Sequence, residues 1–125
     1  MPRILATADN QLRIISPTTT AKLAQRILSS LRVMADVLPR GLNTPTTLEL
    51  LLGIYLGEEE SRYYRLEELQ VSDGLGAAVT RRWIAALVSA GLVEEHDGLV
   101  ALTTQGHALM VEAMERIFAA QRRLD

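Results

Sequence analysis

Leu23, Ile27, Leu28, Leu31, Met34, Val37 and Leu38 recur at steps of three and four, the spacing of one helix face. Ser16-Pro17-Thr18 ahead of them supplies a capping hydroxyl and a proline suited to a first turn. Pro39-Arg40-Gly41 behind them ends the run, because proline cannot continue the backbone ladder. The spacing therefore predicts a helix over 17–39. A second helix opens at Thr44-Pro45, with Thr46 and Glu49 at capping-box spacing. Its stripe is Leu48, Leu51, Leu52, Tyr55 and Leu56, and Glu58-Glu59-Glu60 comes next as a solvated acidic run.

Arg65-Leu66-Glu67-Glu68-Leu69-Gln70 reads as a short helix. Ser72-Asp73-Gly74 reads as a turn in which Ser72 or Asp73 caps the next helix. From Leu75 to Ala90 the pattern is helical again. A 100° wheel puts Val79, Trp83, Ala86, Leu87 and Ala90 on one side, the core side, and Gly91 is a C-terminal stop. Leu92-Val93-Glu94-Glu95 and Leu99-Val100-Ala101-Leu102 are short strands around Asp97-Gly98, a strong hairpin dipeptide. Thr103 or Thr104 caps a last long helix with the stripe Leu109, Met110, Ala113, Met114, Ile117, Phe118 and Leu124. Near the N-terminus, Arg3–Thr7 and Gln11–Ile15 read as a hairpin around Asp9-Asn10 or as an extended arm. No internal repeat or low-complexity stretch is present.

The order over 45–103 is helix, short helix, turn, helix, two-stranded ribbon. A third helix held clear of the body by a turn has one face available for a groove. A DNA major groove about 12 Å wide accepts one helix. Leu66-Glu67-Glu68-Leu69, Ala78-Val79-Thr80-Arg81-Arg82-Trp83-Ile84-Ala85-Ala86-Leu87, Ala90-Gly91-Leu92-Val93 and Leu102-Thr103-Thr104-Gln105-Gly106 carry a resemblance to winged helix-turn-helix proteins. The chain looks most like the MarR-like transcriptional regulators, over roughly half its length. The fold class this implies is mainly α with a small β-wing, a winged helix-turn-helix flanked by long N- and C-terminal helices. The segments are an arm or hairpin over 1–16, a helix over 17–39, the winged domain over 44–103 and a final helix over 104–125.

The resemblance further implies a homodimer built on the two flanking helices and binding to duplex DNA, with 75–90 as the recognition helix. Its reading face is Ala77, Ala78, Arg81 and Ala85, opposite Val79 and Trp83. Arg81 is the candidate for a base edge, since arginine pairs bidentately with guanine. Arg82 and Thr80 are the candidates for phosphates. Arg62 and Arg65, with Tyr63 and Tyr64, are expected to hold the DNA backbone at the short helix. In that family a small aromatic or phenolic effector often sits between the dimer helices and the winged domain. This chain shows no such site in its sequence, its effector is unknown, and core packing is the simpler use of Met34, Met110, Met114 and Phe118.

Charge complicates the picture. The family's wing tip is usually rich in arginine or lysine, whereas Glu94-Glu95-His96-Asp97-Gly98 carries −3 with His96 neutral and is repelled by phosphate. Across 62–91, Arg62, Arg65, Arg81 and Arg82 stand against Glu67, Glu68 and Asp73, a net of +1. The reading face is also rich in alanine. These features support an alternative, a winged-helix module for protein–protein interaction without DNA binding.

Composition narrows the classes. The 125 residues are 48% hydrophobic and 22% charged, a globular balance, with a net charge of −2. Cysteine is absent, which removes thiolate chemistry, disulfides and sulfur-based zinc sites. His96 and His107 are too few for a metal cage, and no nucleophile elbow or phosphate loop occurs. No catalysis and no cofactor are expected. No segment approaches the ~18 consecutive apolar residues of a membrane span. The first apolar run breaks at Asp9-Asn10, too early for a signal-peptide core. The expectation is a cytoplasmic protein without membrane partners.

Overall fold

The computed structural model describes residues 3–6, 12–15, 18–69 and 76–124. In chain order they form β1 (Arg3–Ala6), β2 (Leu12–Ile15), α1 (Thr19–Val37), α2 (Pro45–Glu59), β3 (Tyr64–Arg65), α3 (Ala77–Ser89), β4 (Val93–His96), β5 (Leu99–Leu102) and α4 (Thr104–Leu124). A 3-10 turn over Leu66–Glu68 comes directly after β3. The chain is mainly helical, with a small three-stranded antiparallel sheet in the order β3-β5-β4, and this is the architecture of a winged helix. β1 and β2 form a separate antiparallel pair, with Arg3 opposite Ile15 and Ala6 opposite Leu12, in agreement with the hairpin reading. The expected turns at Asp9-Asn10 and Ser72-Asp73-Gly74, and the Ser16-Pro17 helix start, lie outside the described residues.

Local chemistry sets the helix ends. The Thr18 hydroxyl accepts from the Ala21 N–H at 3.1 Å and starts α1, which closes at Val37 ahead of Leu38-Pro39. At α2 the cap is Thr44, accepting from Thr47 N–H at 3.3 Å, with Pro45 in the first turn. Thr47 is fully buried, yet its hydroxyl meets the carbonyl oxygens of Leu42 and Thr44, so its burial leaves no polar atom unpaired.

α2 is the central helix, packed on α3, α4 and β5. It buries Leu50, Leu51 and Ile54, while Leu56 is exposed. The single stripe expected from Leu48 to Leu56 is therefore displaced. A helix apolar on most sides has no one face for periodicity to find. One continuous core joins Met34 and Leu38, Leu50, Leu51 and Ile54, Ile84 and Leu87, Leu92 and Val93, Val100 and Leu102, and Met110 and Ala113. α1 and α4 run antiparallel, tied by Arg116–Asp36 at 2.5 Å and by Gln121 Nε2 donating to Ser30 Oγ at 2.9 Å.

The short helix expected over 65–70 is replaced by two strand residues and the 3-10 turn. The Arg65 backbone N–H donates to the Glu68 carboxylate at 2.8 Å, which tightens the chain immediately. Arg65 and Tyr64 pair with Leu99 and Val100 of β5. A two-residue strand is too short for any period to register in a sequence.

Candidate nucleic-acid interface

α3 is anchored by Thr80, Ile84 and Leu87, all buried, so its opposite side faces solvent. Ala77, Ala78, Arg81, Arg82 and Ala85 are exposed, as expected. Thr80 is not on that face. It is 4% exposed, with its hydroxyl donating to the Gly76 carbonyl at 3.3 Å. The expectation that Thr80 holds a phosphate is therefore corrected. A threonine bonded to the carbonyl four residues back presents its methyl to the core and behaves there as a small apolar residue. The same rotation leaves Val79, Trp83, Ala86 and Ala90 only half-buried.

Arg81 and Arg82 have no carboxylate within 4 Å among the described residues, where the ion pairs are His96–Glu94, His107–Glu59 and Arg116–Asp36. Val79, Arg82, Trp83 and Ala86 line an open cavity of about 340 Å³. Arg82 is thus on the border between the outward face and this cavity, whereas Arg81 is on the face alone.

The C-terminal end of α3 is locked to the ribbon and to α4. Gly91, at φ +78°, turns the chain, and Leu92 N–H bonds to the Leu87 carbonyl at 3.0 Å. Thr103 then bridges three elements. Its hydroxyl donates to the Gly91 carbonyl at 2.6 Å and accepts from Gly106 N–H at 2.9 Å, and its N–H donates to the Leu92 carbonyl at 3.0 Å. Gly106 has no room for a side chain, since a Cβ there would stand 2.8 Å from the Leu92 carbonyl carbon. These contacts explain Leu-Thr-x-x-Gly physically: the threonine caps α4, and the glycine lets α4 abut the backbone leaving α3.

The ribbon turns at Asp97-Gly98, both with positive φ, as the dipeptide predicts. Glu95, His96 and Asp97 are exposed, and Glu94 lies 3.5 Å from His96. The ribbon is also held from behind. Leu102 N–H donates to Glu58 Oε2 at 2.8 Å. β3 begins only opposite Val100, two residues short of Leu102, and the carboxylate supplies the missing acceptor. Glu58 is therefore not solvated as its acidic neighbours Glu59 and Glu60 suggest. It is half-buried and is a strut between α2 and the wing, a role that only the strand topology reveals.

Arg62 and Arg65 stand before the 3-10 turn and not on a helix. The Arg62 guanidinium stacks 4.7 Å over the Tyr64 ring. Tyr64 in turn fills the space left by Gly57, where a Cβ would come within 2.5 Å of the ring. Tyr63 is exposed. Arg65, exposed on β3, reaches the ribbon turn: a Cβ on Gly98 would lie 3.4 Å from Arg65 Nη1. His107 sits half-exposed on α4, 3.8 Å from Glu59 and with its ring 5.8 Å from that of Tyr55. Of the four residues considered for a ligand pocket, Met34, Met110 and Met114 pack in or on the core, while Phe118 is exposed with Arg122 stacked on it.

Among the described residues no three acidic or histidine side chains group as a metal site, and no helix is long and apolar enough to cross a membrane. No protein-family model matches this chain, and no curated protein does. A solved structure of Bordetella bronchiseptica BpsR, whose DNA binding is regulated by 6-hydroxynicotinic acid, is similar at a TM-score of 0.46. It covers 86% of this chain and 81% of that one at 20% identity. A likeness of this size carries neither family nor function.

Proposed function

We propose that this chain is a DNA-binding transcriptional regulator of MarR-like design. It is a cytoplasmic binding protein and not a catalyst, and it docks α3 in the major groove of duplex DNA. The observation that carries this reading is the outward face of α3. Arg81 and Arg82 are exposed and without acidic partners among the described residues, while Thr80, Ile84 and Leu87 fasten the helix to the core from behind. Unneutralised guanidinium groups on a rigid helix suit phosphate and guanine. Ala77, Ala78 and Ala85 beside them let the helix approach base edges closely. Arg81 takes the base edge, and Arg82 and the stacked Arg62 take phosphates.

The chain acts as a homodimer through α1 and α4. Leu23, Ile27, Leu28 and Leu31 are 47–55% exposed along one side of α1, and Phe118 on α4 is 63% exposed. A run of large apolar side chains left in water on the outer parts of two packed helices marks a surface meant to be covered. Two copies related by a two-fold axis bring two recognition helices to successive major grooves and occlude a promoter. The effector of such a regulator is left unassigned.

Fluorescence anisotropy with a labelled random duplex tests the reading. Binding that weakens steeply with salt, and weakens again on Arg81→Ala with Arg82→Ala, supports it. A second reading, a protein-interaction module without DNA binding, draws on the acidic wing and the alanine-rich face. An isotherm unchanged by the arginine substitutions favours it.

A further inference from the structure

The wing is the least DNA-like part of the molecule, since Glu95 and Asp97 are exposed at its turn. Yet one cation reaches that turn from outside the ribbon. Arg65 lies on β3, opposite Leu99 of β5, so the sheet fixes its backbone beside the last residues of the turn. Its guanidinium lies against Gly98. Its side chain is exposed, and no carboxylate lies within 4 Å of its guanidinium among the described residues. Glu68 is engaged by the Arg65 backbone N–H at 2.8 Å. Glu94, on β4, lies 3.5 Å from His96.

We propose that Arg65 is the cation through which the wing holds a DNA phosphate. The positive charge that the ribbon itself lacks is supplied by the neighbouring strand. Three features make the arrangement work. Gly98 at φ +80° has no side chain, so the guanidinium can lie over the turn. The strand pairing fixes the Arg65 backbone and leaves its charge unused. By register Arg65, Leu99 and His96 share one face of the sheet, whereas Glu95 pairs with Val100 on the other, so Glu95 is turned away from a phosphate approaching over Arg65. This inference rests on the DNA-binding reading above and goes beyond it in assigning the wing's contact to β3.

The test is anisotropy on a random duplex between about 50 and 200 mM salt, with wild type, Arg65→Gln and Glu95→Gln. Glutamine keeps much of the stem of Arg65 and removes its charge. Each dimer then loses two phosphate contacts, so the slope of log K against log salt falls by about 1.8. The weakening relative to wild type shrinks about twelvefold across that salt range. Glu95→Gln, opposite Val100 on the other face of the ribbon, is the control and keeps the wild-type slope. A wild-type slope and affinity for Arg65→Gln, with wild type binding and Arg81→Ala weakened, overturn this inference and leave the recognition-helix reading standing. A wild type that does not bind duplex overturns both. If Arg65→Gln fails to fold, Arg65→Met, which keeps an unbranched stem without the charge, takes its place, and an unchanged slope there overturns the inference.

Discussion

Gly106→Ala adds a single methyl group at the junction where α3, the ribbon and α4 meet. The added Cβ would stand 2.8 Å from the Leu92 carbonyl carbon and 3.1 Å from its Cα, and it would press on the carbonyl oxygen more closely still. The obstacle is backbone, so no rotamer change relieves it. Either α4 shifts or Leu92 does, and both are tied to Thr103 by bonds of 2.9 and 3.0 Å. Forcing a methyl into such a contact costs about 1–3 kcal/mol. Replacing glycine by alanine in a helix contributes up to about 1 kcal/mol in the other direction. Gly53→Ala separates the two terms. Gly53 lies within α2, and an added Cβ there meets nothing within 4 Å, so only the favourable term applies. Urea unfolding followed by circular dichroism is expected to show Gly53→Ala equal to or more stable than wild type. Gly106→Ala is expected to be less stable than Gly53→Ala by about 1–3 kcal/mol. Equal midpoints for the two variants would refute the close-approach account of the Leu-Thr-x-x-Gly segment.

Other substitutions probe the same geometry. Thr103→Ala removes the α4 cap and is expected to cost about 0.5–2 kcal/mol in urea unfolding, with Thr103→Ser recovering most of it. Glu58→Ala leaves the Leu102 N–H without its acceptor, and a loss of about 1–2 kcal/mol is expected. An undiminished midpoint in Glu58→Ala would mean that the carboxylate is a bystander. Ile27→Glu with Leu31→Glu places charges on the exposed stripe of α1, and light scattering is expected to change from a dimer mass to a monomer mass. A monomer mass for the wild type would remove the homodimer from the proposal.

Much of the fold is legible in the sequence because local chemistry and global packing agree. Pro39, the Thr44-Pro45 pair, Gly91 and Asp97-Gly98 each place an end or a turn where the structure has one. Thr103 is one of two caps that the sequence offers for α4, and Gly106 belongs to the motif that carries the resemblance. Their joint purpose needs the Leu92 carbonyl, which approaches from 14 residues away in the chain. The features hidden from a sequence reading are non-local or compensated. β3 exists only because β5 offers it a partner, and Glu58 takes the Leu102 N–H because β3 begins only opposite Val100. The wheel misplaces the inward face of α3 by about one residue. Thr80 carries a hydroxyl that satisfies itself on the Gly76 carbonyl, and a polar letter then conceals a core position. The outward arginines are insensitive to that error, since Arg81 and Arg82 lie far enough round the helix to remain exposed under either placement.

The measurement that bears most directly on α3 uses alanine methyl groups as reporters. Ala77, Ala78 and Ala85 are exposed on the proposed reading face, while Ala113 is fully buried on α4. In a ¹³C-methyl-alanine NMR titration with a random duplex at low salt, the first three resonances are expected to shift and broaden while Ala113 stays in place. Added salt should return them to their free positions. Methyl shifts confined to other parts of the chain, with Ala77, Ala78 and Ala85 unmoved at saturating duplex, would contradict the account.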